Sequence, residues 1–156
     1  MSECLEVRYR RARAWLESVR RAAATIEPLR RELAGLMSAR DEVLGWRVSG
    51  GGGSKPVHSD PTAAEAEGRI GELGALIRDA QARIDAAEGI VGDALRVIER
   101  MRTRLGDRHA DAMELYYIDR APTWSDVASE MGVSASTLYR LREQAYAWVE
   151  ERCKIA

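Results

Sequence analysis

The side chains best suited to recognition chemistry crowd into one stretch, 134–143, where Ser134, Ser136, Thr137, Tyr139, Arg140 and Glu143 lie close together. Placed on a helix, Ser136, Tyr139, Arg140, Glu143 and Ala147 share one side, and Leu138, Leu141, Ala145, Trp148 and Val149 share the other. Hydroxyls, one guanidinium and one carboxylate on an outward face suit the reading of a nucleic acid. Arg140 matches guanine, Ser136 and Thr137 bases or phosphates, and Tyr139 a phosphate or a thymine methyl. Glu143 can accept from cytosine or exclude wrong bases, and Ser134 with the free N–H groups of the helix start can hold a phosphate.

Catalysis has no comparable constellation. His58 and His109 are isolated from any nucleophile or acid partner, and the carboxylates fall on helical faces that read as solvated. Gly50 to Lys55 superficially suggests a phosphate loop. Ser49 and Ser54 break the glycine spacing, however, Pro56 replaces the hydroxyl residue after the lysine, and no strand precedes. Cys4 and Cys153 stand near opposite ends without a second ligand, which excludes a disulfide framework and a zinc site and fits a reducing cytoplasm. We therefore expect no enzyme, no metal, no cofactor and no small-molecule substrate. With no long apolar run and no signal-peptide succession, we also expect no membrane partner and a cytoplasmic location.

The elements that must position the 134–143 face are short helices. Arg108 to Asp119 reads as one helix, ended by Ala121-Pro122. Thr123, with Asp126 three residues on, opens a helix of about two turns to Met131. Gly132 can take the left-handed conformation that ends it, and Ser134 caps a last helix running to about Arg152. Ala128, Gly132, Val133, Leu138 and Leu141 supply the small residue, the turn, the plug and the inward leucines of a helix-turn-helix.

Before this lie two long heptad patterns. Leu5, Ala12, Val19, Ile26, Leu33 and Arg40, with Arg8, Trp15, Ala22, Leu29, Leu36 and Val43, form the first. Ile70, Ile77, Ile84, Val91, Ile98 and Leu105, with Leu73, Ala80, Ala87, Ala94 and Met101, form the second, and all are apolar. Such runs predict coiled-coil helices over about 3–44 and 62–105, each roughly 60 Å long. Matched arms joined by a Gly/Ser/Pro-rich connection, 45–62, suggest an antiparallel hairpin. Trp46 is read as capping the bundle end or docking onto a partner, Thr62 with Glu65 as a capping box, and Pro28 as a kink on the solvated side. An extra apolar stripe, Leu76, Ile90 and Val97, is wider than one partner helix covers and points to a dimeric four-helix bundle, the alternative being that it packs on the C-terminal domain. The nine arginines of the first arm are interleaved with seven acids and read as a solvated face.

The fold class expected is thus all-α: a coiled-coil helical hairpin, 1–105, and a small three-helix helix-turn-helix domain, 106–156. Residues 105–152, with Leu115-Tyr116-Tyr117-Ile118, Thr123-Trp124-Ser125-Asp126-Val127-Ala128, Met131-Gly132-Val133-Ser134 and Thr137-Leu138-Tyr139-Arg140, resemble the fourth conserved region of sigma-seventy-type factors (sigma-70 region 4-like). The whole chain resembles a prophage-encoded family of helical hairpin plus sigma-like helix-turn-helix, which includes phage late-gene activators of the RinA and ArpU type. That resemblance implies promoter recognition with RNA polymerase. Primary sigma factors carry an Arg-Glu pair after the residue matching Ser134, whereas this chain has Ala135 and Ser136, and the other sigma regions are absent. A regulator of phage genes fits better than a full sigma factor.

Charge shapes the expected partners. Residues 107–133 hold six acids against two arginines, a net of −4, and residues 134–156 add +1. A module so poor in phosphate-neutralising charge needs dimerisation or a protein already on DNA. The expected partners are double-stranded DNA, a second copy of the chain and RNA polymerase. Two alternatives stay open: a protein-interaction adaptor that does not meet DNA, and a small terminase subunit.

Overall fold

The computed structural model describes residues 7–49 and 61–155, and the chain is all-helical, with no strand among the described residues. Among the described residues five α-helices follow one another: α1 Arg10–Ser49, α2 Pro61–Arg104, α3 Asp107–Met113, α4 Trp124–Met131 and α5 Ala135–Ile155. No helix among the described residues is long and apolar enough to cross a membrane.

Helix α1 is rich in Arg, Ala, Leu and Glu, all strong helix formers, and it passes through Pro28 without ending. It also runs through Gly45 to Ser49, so the connection expected from residue 45 begins later. A single glycine costs a helix only about 1 kcal/mol, and the glycine run starts only at Gly50. Helix α2 opens at Pro61, since proline suits a first helical position, where its missing N–H would have no partner. Thr62 therefore lies inside the first turn and not at the cap. The side chains of Trp46 and Thr62 lie outside the described residues, as do Cys4, Leu5, the Gly50–Lys55 segment and His58.

The chain divides into two compact units, one of residues 1–25 with 87–156 and one of residues 26–86. The boundary expected at 105/106 falls inside the first. In the 26–86 unit the buried residues are Leu29 from α1 and Ala66, Leu73, Ala80 and Ile84 from α2. Arg83 pairs with Glu32 at 3.8 Å and with Asp79 at 4.0 Å. These ions are exposed, and each pair contributes under about 1 kcal/mol.

The other unit has a mixed core. Ala12 and Leu16 of α1, Ile98 and Met101 of α2, Ala110 and Met113 of α3, Val127 of α4, and Leu138, Ala145 and Val149 of α5 pack in one cluster. Leu16 lies outside the heptad frame and is buried because the C-terminal helices cover it. All eleven positions of the second heptad series are buried or half-buried, whereas in the extra stripe Leu76 and Ile90 are exposed and Val97 is half-buried.

Helix α3 does not continue to Asp119 as one α-helix. It widens into a π-helical turn, Glu114–Ile118, closed by the Asp119 N–H donating to Glu114 O at 2.9 Å. The additional residue per turn accompanies a split of roles: Tyr117 enters the core, while Tyr116 remains half-buried beside Trp124. Arg120 ends the segment at φ 60, and the Ala121 N–H returns to Leu115 O at 2.9 Å.

Polar ties also join α2 and α1 to the C-terminal helices within this unit. The Arg102 guanidinium meets Asp111 at 2.7 Å, Glu114 at 3.2 Å, Glu99 at 3.4 Å and Asp107 at 3.5 Å. The hydrogen bond to Asp111 is the main reason its pKa stands above the usual arginine value. Near the start of α1 the Ala12 N–H donates to the Glu150 carboxylate of α5 at 2.7 Å. That carboxylate satisfies an orphan donor of the helix end and complements its dipole.

Candidate nucleic-acid interface

The geometry around 134–143 is set by three local devices. At the start of α4 the Thr123 hydroxyl accepts from the Asp126 N–H at 3.1 Å, and the Asp126 carboxylate accepts from the Thr123 N–H at 3.0 Å. This reciprocal capping box is the one expected from the spacing. At its end Gly132 adopts φ 64. The Val133 N–H donates to Ala128 O at 3.0 Å and the Gly132 N–H to Ser129 O at 3.2 Å. This is the Schellman arrangement. Val133 then packs against the core beside Ala128. The third device is Ser134, whose hydroxyl accepts from the Thr137 N–H at 3.2 Å, just ahead of α5.

Helix α5 turns its sides as the wheel implies. Leu138, Leu141, Ala145 and Val149 are buried and Trp148 is half-buried. Tyr146 is buried as well, which the wheel did not single out. Its hydroxyl meets that of Tyr117 at 2.7 Å. Burial, first, and then Tyr146 push the Tyr117 phenol well above the usual tyrosine range.

The six candidate residues do not share one state. Ser134, Ser136 and Arg140 are exposed; Thr137, Tyr139 and Glu143 are half-buried. Ser134 Oγ lies 2.9 Å from Thr137 Oγ1 and 3.1 Å from Ser136 Oγ, so the three hydroxyls form one small cluster. Arg140 has no ion pair among the described residues. Glu143 is engaged by Arg8, just ahead of α1, at 3.5 Å.

An aromatic stack missed by sequence reasoning underlies this surface. The Arg20 guanidinium lies 4.1 Å from the Tyr116 ring centroid. Tyr116 stacks on Trp124 at 4.0 Å and 13°. Arg142 covers Trp124 at 4.1 Å and lies 5.7 Å from Tyr146. Arg20 also donates to the Tyr116 carbonyl, and to the Ala121 carbonyl at 3.1 Å. The solvated-face expectation for the first-arm arginines therefore fails at Arg20, because the C-terminal helices bring a ring and two carbonyls to it. One signal for Arg142 was present: its neighbours three and four positions away are Leu138, Tyr139, Ala145 and Tyr146, none of them acidic.

Two grooves border α4. One is lined by Asp111, Glu114, Leu115, Asp119, Glu130 and Met131. The other is lined by Trp124, Ser125, Ser129, Leu138, Tyr139 and Arg142, among others, with no carboxylate. No group of three or more metal-ligating side chains occurs among the described residues. No family model matches the chain, and neither a curated protein nor a solved structure matches it.

Proposed function

We propose that the chain is a DNA-binding transcription regulator of phage origin. Helices α4 and α5 act as its helix-turn-helix, and α1 and α2 form an antiparallel hairpin through which two copies associate. The observation that carries this reading is the α4–Gly132–α5 junction. The capping box, Schellman turn and Ser134 cap join a two-turn helix to a longer one across Gly132 and Val133, and the longer helix leaves Ser136 and Arg140 exposed at its N-terminal end. Such an end fits the major groove, where an arginine can make two hydrogen bonds to guanine. Buried Ala80, Ala87 and Ala94 on α2 support close approach of a facing helix, and exposed Leu76 and Ile90 support a second copy.

The acidic C-terminal surface makes RNA polymerase a fitting co-partner, since a protein already on DNA supplies the affinity that net charge does not. The same surface favours a second reading, a protein-interaction adaptor, because Asp111, Glu114, Asp119 and Glu130 line a groove with Leu115 and Met131. Selection of binding sites from a random duplex pool at low salt separates the two. The regulator enriches a two-fold-symmetric motif, and Arg140→Ala relaxes one position of it, at a cost of about 1–3 kcal/mol. An adaptor enriches nothing. A solution mass near twice 17.3 kDa fits the dimer, and a ring of many copies would favour the small terminase subunit instead.

A further inference from the structure

We propose that the groove between α4 and α5 is a phosphate site built on Arg142, and that the phosphate it takes belongs to the backbone of duplex DNA. The choice of duplex rests on the regulator reading; the phosphate chemistry does not. The Arg142 guanidinium lies over the Trp124 ring at 4.1 Å from its centroid, with the Tyr146 centroid 5.7 Å away. No carboxylate pairs with it among the described residues, whereas Arg102 of the same unit meets Asp107, Asp111, Glu114 and Glu99. Its Nε is shielded from solvent and has no acceptor among the described residues.

A guanidinium whose face is covered keeps its donors in the ring plane, at its edge, in the fork that matches two phosphate oxygens. The other N–H groups of this half-buried side chain are the ones an arriving anion would meet. The groove supplies suitable neighbours: Ser125, Ser129 and Tyr139 add hydroxyls and no lining residue is acidic. Tyr139 also stands next to Arg140, so a phosphate here would fix the register of the neighbouring base-reading face. The acidic groove bordered by Glu130 would repel the same phosphate, which makes the choice of groove specific.

The test uses the full chain and follows the Arg142 side-chain N–H resonances by NMR, assigned through Arg142→Lys. A short duplex and inorganic phosphate are titrated separately, with duplex affinity measured against salt. The expected result is a shift of the Arg142 resonances with duplex. Arg142→Gln should then weaken binding several-fold for every sequence and reduce the salt slope by about 1. Ser129→Asp, at an exposed helix position, should do the same without touching the stack, which guards against a folding artefact. A duplex that binds without moving Arg142 overturns the site and leaves the regulator reading intact. If no duplex binds, the regulator reading fails, and a shift with inorganic phosphate then upholds the phosphate chemistry while overturning its assignment to DNA. No shift with either probe overturns the inference entirely.

Discussion

The two units are built from the same pair of long helices and differ in what those helices are given to pack against. Between residues 26 and 86, α1 and α2 bury only Leu29, Ala66, Leu73, Ala80 and Ile84, and the ion pairs there are exposed. In the other unit the same helices meet α3, α4 and α5, and a core of Leu16, Met101, Met113, Tyr117 and Val127 is almost wholly excluded from water. Apolar burial is the main source of stability, at roughly 25 cal/mol per Å². The unit holding the candidate interface is therefore expected to be the more rigid, and the 26–86 unit should open more readily unless a second copy covers it.

The largest effect should separate the units directly. Met101→Ala removes a wholly buried side chain and is expected to cost about 2–5 kcal/mol in urea unfolding. Leu76→Ala changes a side chain that is 52% exposed, and the isolated chain should lose less than about 0.5 kcal/mol. If Leu76 faces a second copy, the same variant lowers the dimer fraction in sedimentation while leaving monomer stability alone. Equal stability losses for the two variants would end the contrast drawn here.

Next comes the buried pair Tyr117–Tyr146. Tyr117→Phe leaves the Tyr146 hydroxyl without its 2.7 Å partner and should cost about 1–3 kcal/mol. The pair also gives a pH signature. Because the folded phenol is raised, its stabilising contribution is complete below the ordinary tyrosine value, about 10, and is lost as pH climbs beyond it. The unfolded chain releases that proton first, so stability should fall by up to about 1.4 kcal/mol per pH unit above 10. Tyr117→Phe should flatten this fall; an unchanged slope would show that the phenol titrates freely in the fold.

Much of this rigid unit was legible because it depends on local chemistry. Thr123 with Asp126 named the start of α4, Gly132 its end and Ser134 the next cap, since each acts through its own backbone neighbours. The heptad series likewise marked the buried side of α2. What sequence reasoning lost depends on contacts distant along the chain. Arg20 reads as one arginine among nine until Tyr116 is brought onto it, and Glu143 reads as free until Arg8 arrives. The π-turn at Glu114 was invisible for a related reason: nothing in Glu-Leu-Tyr-Tyr-Ile disfavours an α-helix, and the widening accompanies tertiary placement of the two tyrosines.

A smaller effect tests whether the local devices hold the candidate interface. Thr123→Ala removes the hydroxyl half of the capping box and should cost about 1 kcal/mol. Hydrogen exchange should show the loss concentrated in α4, with the 26–86 unit unaffected. Uniform loss across both units would mean that they unfold together and that the contrast between them is one of burial alone.

The smallest effect has the opposite sign. Arg120 is the one non-glycine among the described residues with positive φ, at 60°, where a side chain costs about 1–2 kcal/mol that glycine avoids. Glycine gives back part of that gain by loosening the unfolded chain. Arg120→Gly is therefore expected to stabilise the rigid unit by no more than about 1 kcal/mol, read as a small rise in the urea midpoint at unchanged slope. Because Arg120 is exposed and sits at the end of the π-turn, the gain should come without change at the α5 surface. A loss of stability would show instead that the Arg120 side chain makes a contact worth more than its backbone strain.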